Sequence, residues 1–284
     1  MTALTNISVI RELLQRHGFR FSKSMGQNFL TAAWVPERIA AECMADKETA
    51  VLEIGPGIGC LTQQLAQYAG QVLSLELDRA LEPVLAETMD GYDNVEVFFG
   101  DAMKQDVCAM MGLRFPKMRC VACANLPYNI TTPILTLLIE SGCFAYITVM
   151  IQREVARRLC AKPGTADYGA FSVYTQWHTE PEILFDVSPG CFIPQPKVTS
   201  SVIRLKKRET PPVEVEDVKL FFRLVRAAFN QRRKTLVNAL SPVLDGMDKA
   251  SIEKAVCDCG LDARVRGEAL GIPEFARLTN RLLE

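Results

Sequence analysis

The chain has 284 residues, 49% hydrophobic and 23% charged, with a formal net charge of −1. This is the balance of a soluble globular protein long enough for one large core and a smaller second domain. No apolar run reaches the roughly 18 residues of a membrane span, and the N-terminus lacks a secretory signal's series of basic, apolar and small residues. A cytoplasmic protein without a membrane partner is expected.

In chain order, short β-rich runs alternate with helical stretches. V-L-E-I (Val51 to Ile54), Q-V-L-S-L-E-L (Gln71 to Leu77), V-E-V-F-F (Val95 to Phe99), R-C-V-A-C-A and A-Y-I-T-V-M-I (Ala145 to Ile151) read as strands. L-T-Q-Q-L-A-Q-Y and R-A-L-E-P-V-L-A-E-T-M lie between them. Near-continuous apolar strands interleaved with helices predict an α/β, doubly wound, mostly parallel sheet. Ligands of such sheets bind at the carboxyl ends of the strands.

The first strand runs into E-I-G-P-G-I-G, with glycines at Gly55, Gly57 and Gly59. A dinucleotide site calls for G-x-G-x-x-G, so that a pyrophosphate meets the helix N-terminus. Here the triplet is tighter and Cys60 stands where the last glycine would be, which suits a nucleoside without a diphosphate, such as S-adenosylmethionine. A plain strand-to-helix turn would look the same. Glu76 near the end of the second strand can accept from both ribose hydroxyls, and Asp101 after the third can accept from an adenine amino group. Alone, each is also an ordinary strand-end or turn carboxylate.

The fourth strand ends in A-N-L-P-Y-N, and its chemistry suits an exocyclic amine, whose lone pair is delocalised into the ring. Two acceptors aimed at the amine hydrogens would favour a pyramidal, nucleophilic nitrogen. The Asn125 side-chain oxygen and a backbone carbonyl near Leu126 or Pro127 can supply them. Proline fixes φ, and Tyr128 offers a face on which an extruded base can stack. A turn using Asn and Pro for geometry alone is the plainer alternative.

Farther along, T-S-S-V-I-R-L reads as a late strand, and Arg208 to Asp217 as a polar, proline-bearing linker. Phe221, Leu224, Val225 and Ala228 then form one helical face, with Lys219, Arg223, Arg226 and Arg233 on another. No acidic residue occurs from Val218 to Leu244, where Arg232 and Lys234 add to the basic set; Arg204, Lys206, Lys207 and Arg208 lie just upstream. Such a zone suits a polyanion through counterion release, or is a solvated helix face. The ten cysteines are scattered, and Cys120 and Cys123 of the C-x-x-C point to opposite faces of a strand, so reduced thiols and no metal are expected.

Together, S-M-G-Q-N-F-L (Ser24 to Leu30), V-L-E-I-G-P-G-I-G-C-L-T, L-E-L-D, G-D-A-M, N-L-P-Y-N-I-T-T-P-I-L, Q-R-E-V-A-R-R-L, F-I-P-Q-P-K-V-T-S-S-V and A-F-N-Q-R-R-K-T-L resemble the small-subunit ribosomal RNA adenine N6,N6-dimethyltransferases, from about His17 to at least Leu240. Met25 and Cys60 depart from the usual residues without removing a chemical role. The resemblance implies a Rossmann-like seven-stranded catalytic domain, residues 1–207, and a small all-α C-terminal rRNA-binding domain, residues 208–284. It implies two methyl groups on each of two adjacent adenosines near the 3′ end of small-subunit rRNA, within a pre-30S-type particle, by a monomer that also serves subunit assembly.

By position, the resemblance assigns Gln27, Asn28 and Leu30 to closing over the methionyl end of S-adenosylmethionine. Gly55 and its neighbours Gly57 and Gly59 would be the floor. Glu76 would hold the ribose, Asp101 the adenine edge, and Asn125, counted with the cofactor-binding residues too, the target amine; Tyr128 and Phe192 would sandwich the base. Phe192 would otherwise read as core. Arg204, Lys206, Lys207, Arg223, Arg226, Arg232, Arg233 and Lys234 are the candidate RNA contacts. Three other readings compete: a large-subunit rRNA adenine methyltransferase, a non-catalytic assembly or transcription factor on the same fold, and, less suited to the glycine spacing, an NAD-dependent dehydrogenase.

Overall fold

A computed structural model describes residues 4–19 and 27–284, so Ser24, Met25 and Gly26 of the first motif lie outside the described residues. Seven strands form the main sheet: β1 (Thr49–Ile54), β2 (Gln71–Glu76), β3 (Val95–Phe99), β4 (Arg119–Asn125), β5 (Tyr146–Gln152), β6 (Thr179–Val187) and β7 (Ser200–Lys207). Their order across the sheet is β3-β2-β1-β4-β5-β7-β6. Twelve α-helices among the described residues run in chain order from α1 (Ile7–Arg16) through α2 (Trp34–Glu42), α3 (Cys60–Tyr68), α4 (Glu82–Thr88), α5 (Val107–Arg114), α6 (Thr131–Ser141), α7 (Arg153–Leu159), α8 (Ala170–His178), α9 (Val218–Asn230), α10 (Leu236–Leu240) and α11 (Lys249–Asp258) to α12 (Ile272–Arg281). Neighbours from β3 to β5 are parallel, and β7 runs antiparallel to β5. The order reverses between β1 and β4, and a doubly wound sheet opens its ligand crevice at that reversal.

β1 is buried at every position, as a central strand covered on both faces must be. Val51, Val72 and Val121 of β1, β2 and β4 share one core with Ile39 of α2 (Trp34–Glu42) and Leu65 of α3 (Cys60–Tyr68). The sheet is the mostly parallel, seven-stranded one expected, but β6 is not among the strands that the sequence predicts. T-E-P-E-I-L-F-D-V carries three carboxylates and Pro181, and most of it is solvated. It can be a strand because it lies at the sheet edge, where an unpaired proline nitrogen is tolerated.

The chain forms two compact units, one of residues 1–156 and 182–207, the other of 157–181 and 208–284. The boundary expected at 207/208 therefore needs correction, because residues 157–181 belong with the second unit. The cause is apolar: α8 (Ala170–His178) buries Val173 and Trp177 in the same core as Phe221 of α9 (Val218–Asn230) and Phe275 of α12 (Ile272–Arg281). The Trp177 and Phe221 rings lie 4.5 Å apart. On α9, Phe221, Leu224, Val225 and Ala228 are all buried, as their spacing predicts. Asp217 caps that helix, its Oδ1 accepting from the Leu220 N–H at 2.9 Å. The helix ends at Asn230, so Arg233 lies in the following turn and not on the α9 face expected for it.

Candidate active site

A cavity opens where the carboxyl ends of β1 to β4 meet, lined by Gly55 and Gly57 after β1, Glu76 of β2, Asp101 after β3, and Asn125 to Tyr128 after β4. Gln27, Asn28 and Leu30 line it from the N-terminal side. The turn after β1 is tight: Gly57 has φ +59°, and its N–H donates to Glu76 Oε2 at 3.1 Å. A Cβ at Gly57 would also crowd the Phe29 ring, at 3.1 Å. Glycine is needed there both for the backbone angle and for the close approach.

Gly59 is different. At φ +89° it begins α3 but does not line the cavity, and a Cβ would collide with the Met89 side chain. Of the three glycines expected to form a ligand floor, this one packs against Met89, just beyond α4 (Glu82–Thr88).

Glu76 is buried, and each of its oxygens takes one backbone N–H, from Asp78 at 2.9 Å and from Gly57 at 3.1 Å. Burial pushes its carboxyl above the ordinary range, against the opposing pull of those two donors. Two further lone pairs remain for ligand hydroxyls. Asp101 Oδ1 accepts from the Met103 N–H at 3.0 Å and so caps a single 3₁₀ turn. Its turn role and its place on the cavity wall thus coexist. The Gln27 amide donates to Asp78 Oδ2 at 2.8 Å, tying the N-terminal wall to the end of β2.

Sequence reasoning missed Glu53, the residue before the glycine turn. It lines the cavity and is only 1% exposed. Its Oε2 accepts from Thr62 Oγ1 and Ser74 Oγ, both at 2.7 Å, while Oε1 is buried without a partner. Burial raises this carboxyl to about 7, with the two hydroxyls opposing and Glu76 adding to the rise. The signal was available: an acid in the middle of an otherwise apolar, buried strand is anomalous. Glu53, Glu76 and Asp101 make three carboxylates on one cavity, and no Lys, Arg or His among the described residues lines it.

The fourth strand end is fixed from several sides. The Asn125 Nδ2 donates to the Asn28 carbonyl at 3.4 Å, which leaves Oδ1 as the amide's free acceptor. The Leu126 N–H donates to the Met150 carbonyl at 3.1 Å. The Pro127 carbonyl accepts from the Ile130 N–H at 3.2 Å and Thr131 Oγ1 at 3.1 Å. Of the two backbone acceptors considered, Pro127's is thus occupied and Leu126's is the one available. Tyr128 is half-buried, its hydroxyl 2.6 Å from Ser200 Oγ; burial raises its pKa and that bond opposes the rise.

Other expectations fare differently. Phe192 is 5% exposed, belongs to the core and does not line the cavity. It pairs with Leu30 in a two-stranded antiparallel ribbon, Phe29–Leu30 with Ile193–Phe192. The apolar reading of Phe192 is the one its surroundings match. Arg204 is bound to Glu182 at 2.9 Å and Glu42 at 3.3 Å, so its charge is spent within the first unit. In the second unit Arg232 is paired with Glu268 at 3.3 Å and with the Ala166 carbonyl at 3.1 Å. Arg223, Arg226, Arg233 and Lys234 are exposed there, and Lys206 and Lys207 belong to the first unit.

A family model described as ribosomal RNA adenine dimethylase matches residues 18–267. The ribosomal RNA small subunit methyltransferase A of Geobacillus thermodenitrificans is 47% identical over 278 residues, covering 96% of this chain and 94% of its own. That of Alkaliphilus oremlandii is 43% identical over 283 residues, covering 99% of both. Among solved structures, the 23S rRNA methyltransferase ErmE superposes with a TM-score of 0.70 at 28% identity, over 90% of this chain and 100% of that one. A dimethyladenosine transferase from Plasmodium falciparum shares the fold, with a TM-score of 0.73 at 24% identity over 88% and 95%. A cavity at the sheet's reversal point, an amide-bearing turn on its lip and a family match along nearly the whole sequence lead to one conclusion: the chain belongs to the ribosomal RNA adenine dimethylase family.

Proposed function

We propose that the protein transfers methyl groups from S-adenosylmethionine to N6 of two adjacent adenosines near the 3′ end of small-subunit rRNA, dimethylating each within an immature small subunit. The observation that carries this reading is the Asn125 to Tyr128 turn. Its amide nitrogen is spent on Asn28 and the Pro127 carbonyl is spent internally, so one side-chain oxygen and the Leu126 carbonyl remain as adjacent acceptors beside the cavity. Two acceptors suit the two hydrogens of an adenine amine and hold its lone pair out of the ring. The Tyr128 ring, anchored through its hydroxyl, gives the base a surface to stack on. No tuned general base is needed, because the alkylated amine loses its proton readily to water.

The donor set fits the cofactor. Glu76 has lone pairs for a ribose diol, Asp101 an oxygen for an adenine amine, and Gly55 and Gly57 leave a floor without side chains. Gln27, Asn28 and Leu30 would cover the methionyl end. Three carboxylates and no cation among the described lining residues suit a ligand that carries positive charge. When bound, S-adenosylmethionine supplies an electron-poor methyl carbon; the chain supplies position and a charge-matched wall. The small-subunit substrate is favoured by the names of the relatives at 43–47% identity. The ErmE likeness keeps large-subunit rRNA as the second reading.

The deciding experiment incubates the protein with labelled S-adenosylmethionine and undermethylated small subunits, then locates the label by nucleotide. Dimethylated adjacent adenosines in small-subunit rRNA are expected. Label confined to large-subunit rRNA would favour the second reading, and no label on any RNA would leave an assembly factor without catalysis.

A further inference from the structure

Glu53 is a buried carboxyl that the methyl-transfer chemistry leaves without a role. It sits where four elements meet. Ser74 of β2 and Cys123 of β4 are its register partners on the two flanking strands, and Thr62 of α3 donates to it. The titratable groups that face it are Glu76 of β2, Cys60 of α3 and Cys123 of β4, with Cys43 behind Cys123. None is a cation, and no Lys, Arg or His among the described residues lines the cavity. One oxygen is satisfied twice, while the other is buried with nothing to bond, in a residue that lines the cavity.

A buried polar atom without a partner is destabilising unless something completes it, and a carboxylate without a counter-ion more so. Two hydroxyl donors are too few to hold a full negative charge away from water beside a second carboxylate. The ligand proposed above brings the missing charge. We propose that Glu53 is the counter-charge of this cavity: neutral in its absence, it ionises when the cationic methyl donor enters, releases one proton to solvent, and so favours the sulfonium donor over its thioether product. The balance is simple. The proton leaves the carboxyl for water, no covalent bond to the ligand forms, and the pair of opposite charges replaces a neutral acid. After transfer the sulfur is uncharged, the carboxyl takes a proton back, and product departs from a wall that no longer attracts it.

The inference rests on the proposed use of S-adenosylmethionine, and calorimetry separates the two. Binding of S-adenosylmethionine and of S-adenosylhomocysteine is measured near pH 6 in buffers of different ionisation enthalpy, which counts protons released. Wild type should release most of about one proton with the donor and markedly less with the product. Glu53→Gln should release almost none with either, and should lose at least about tenfold in donor affinity while product affinity changes little. Donor binding without proton release in wild type overturns the role of Glu53 and leaves the function standing. Equal release with both ligands overturns the selectivity, since it assigns the charge to the ammonium they share. Absence of donor binding removes both readings. The wild-type proton count needs no variant, so the test survives a Glu53→Gln protein that folds poorly.

Discussion

Asn125 can be tested apart from the fold around it, because only its side chain carries the proposed role. Asn125→Ala should keep S-adenosylmethionine affinity within a few-fold and lower methyl transfer by about a thousandfold, in the range that loss of a positioned polar group produces. Equilibrium binding and single-turnover transfer on the same preparation check both halves. Glu53 offers a second test without ligand. Its value of about 7 lies above the 4.5 of the unfolded chain, so the folded protein holds an extra proton between them. This group's contribution to stability is therefore full below the unfolded value and is lost as pH rises through the folded one. Denaturant titrations at about pH 5 and pH 8 should show wild type losing on the order of 3 kcal/mol more than Glu53→Gln. At this scale the sequence was only partly legible. Asn125, Tyr128, Glu76 and Asp101 declared themselves as polar or aromatic residues at strand ends. Glu53 was legible only as an acid inside an apolar strand, whereas nothing in the identity of Phe192 separates a buried core ring from one on which a base stacks.

Elements explain why the three glycines part company. Their spacing suggested one shared task, but Gly57 serves the cavity wall and Gly59 the packing of α3 against Met89. Gly59→Ala should lower stability by roughly 2 kcal/mol or more from φ strain and overpacking, read as a drop in Tm with the cavity chemistry otherwise present. β1 to β5 and β7 were legible because buried parallel strands are apolar runs. β6 was not, because an edge strand needs little apolar sequence. Similarly, α8 hid its membership of the second unit, since an apolar face says that it is covered and not by what.

Across the molecule, a net charge of −1 conceals an uneven distribution, and ion pairing decides which cations remain available. Replacing both Arg233 and Lys234 by Gln should weaken RNA binding and reduce the salt slope by about 2, as filter binding across a salt series would record. Arg204→Gln should do little to that slope and instead lower Tm, because it releases Glu42 and Glu182. Counting charges along the chain could not separate these residues; knowing their partners does.

The second unit is assembled from two stretches of chain with residues 182–207 between them. A protein ended at the apparent linker would therefore keep α8 while lacking every helix that shields Val173 and Trp177. Such a truncation should aggregate or bind a hydrophobic dye. During synthesis the same arrangement obliges α8 to wait, apolar side outward, until some fifty more residues have been added and α9 can form.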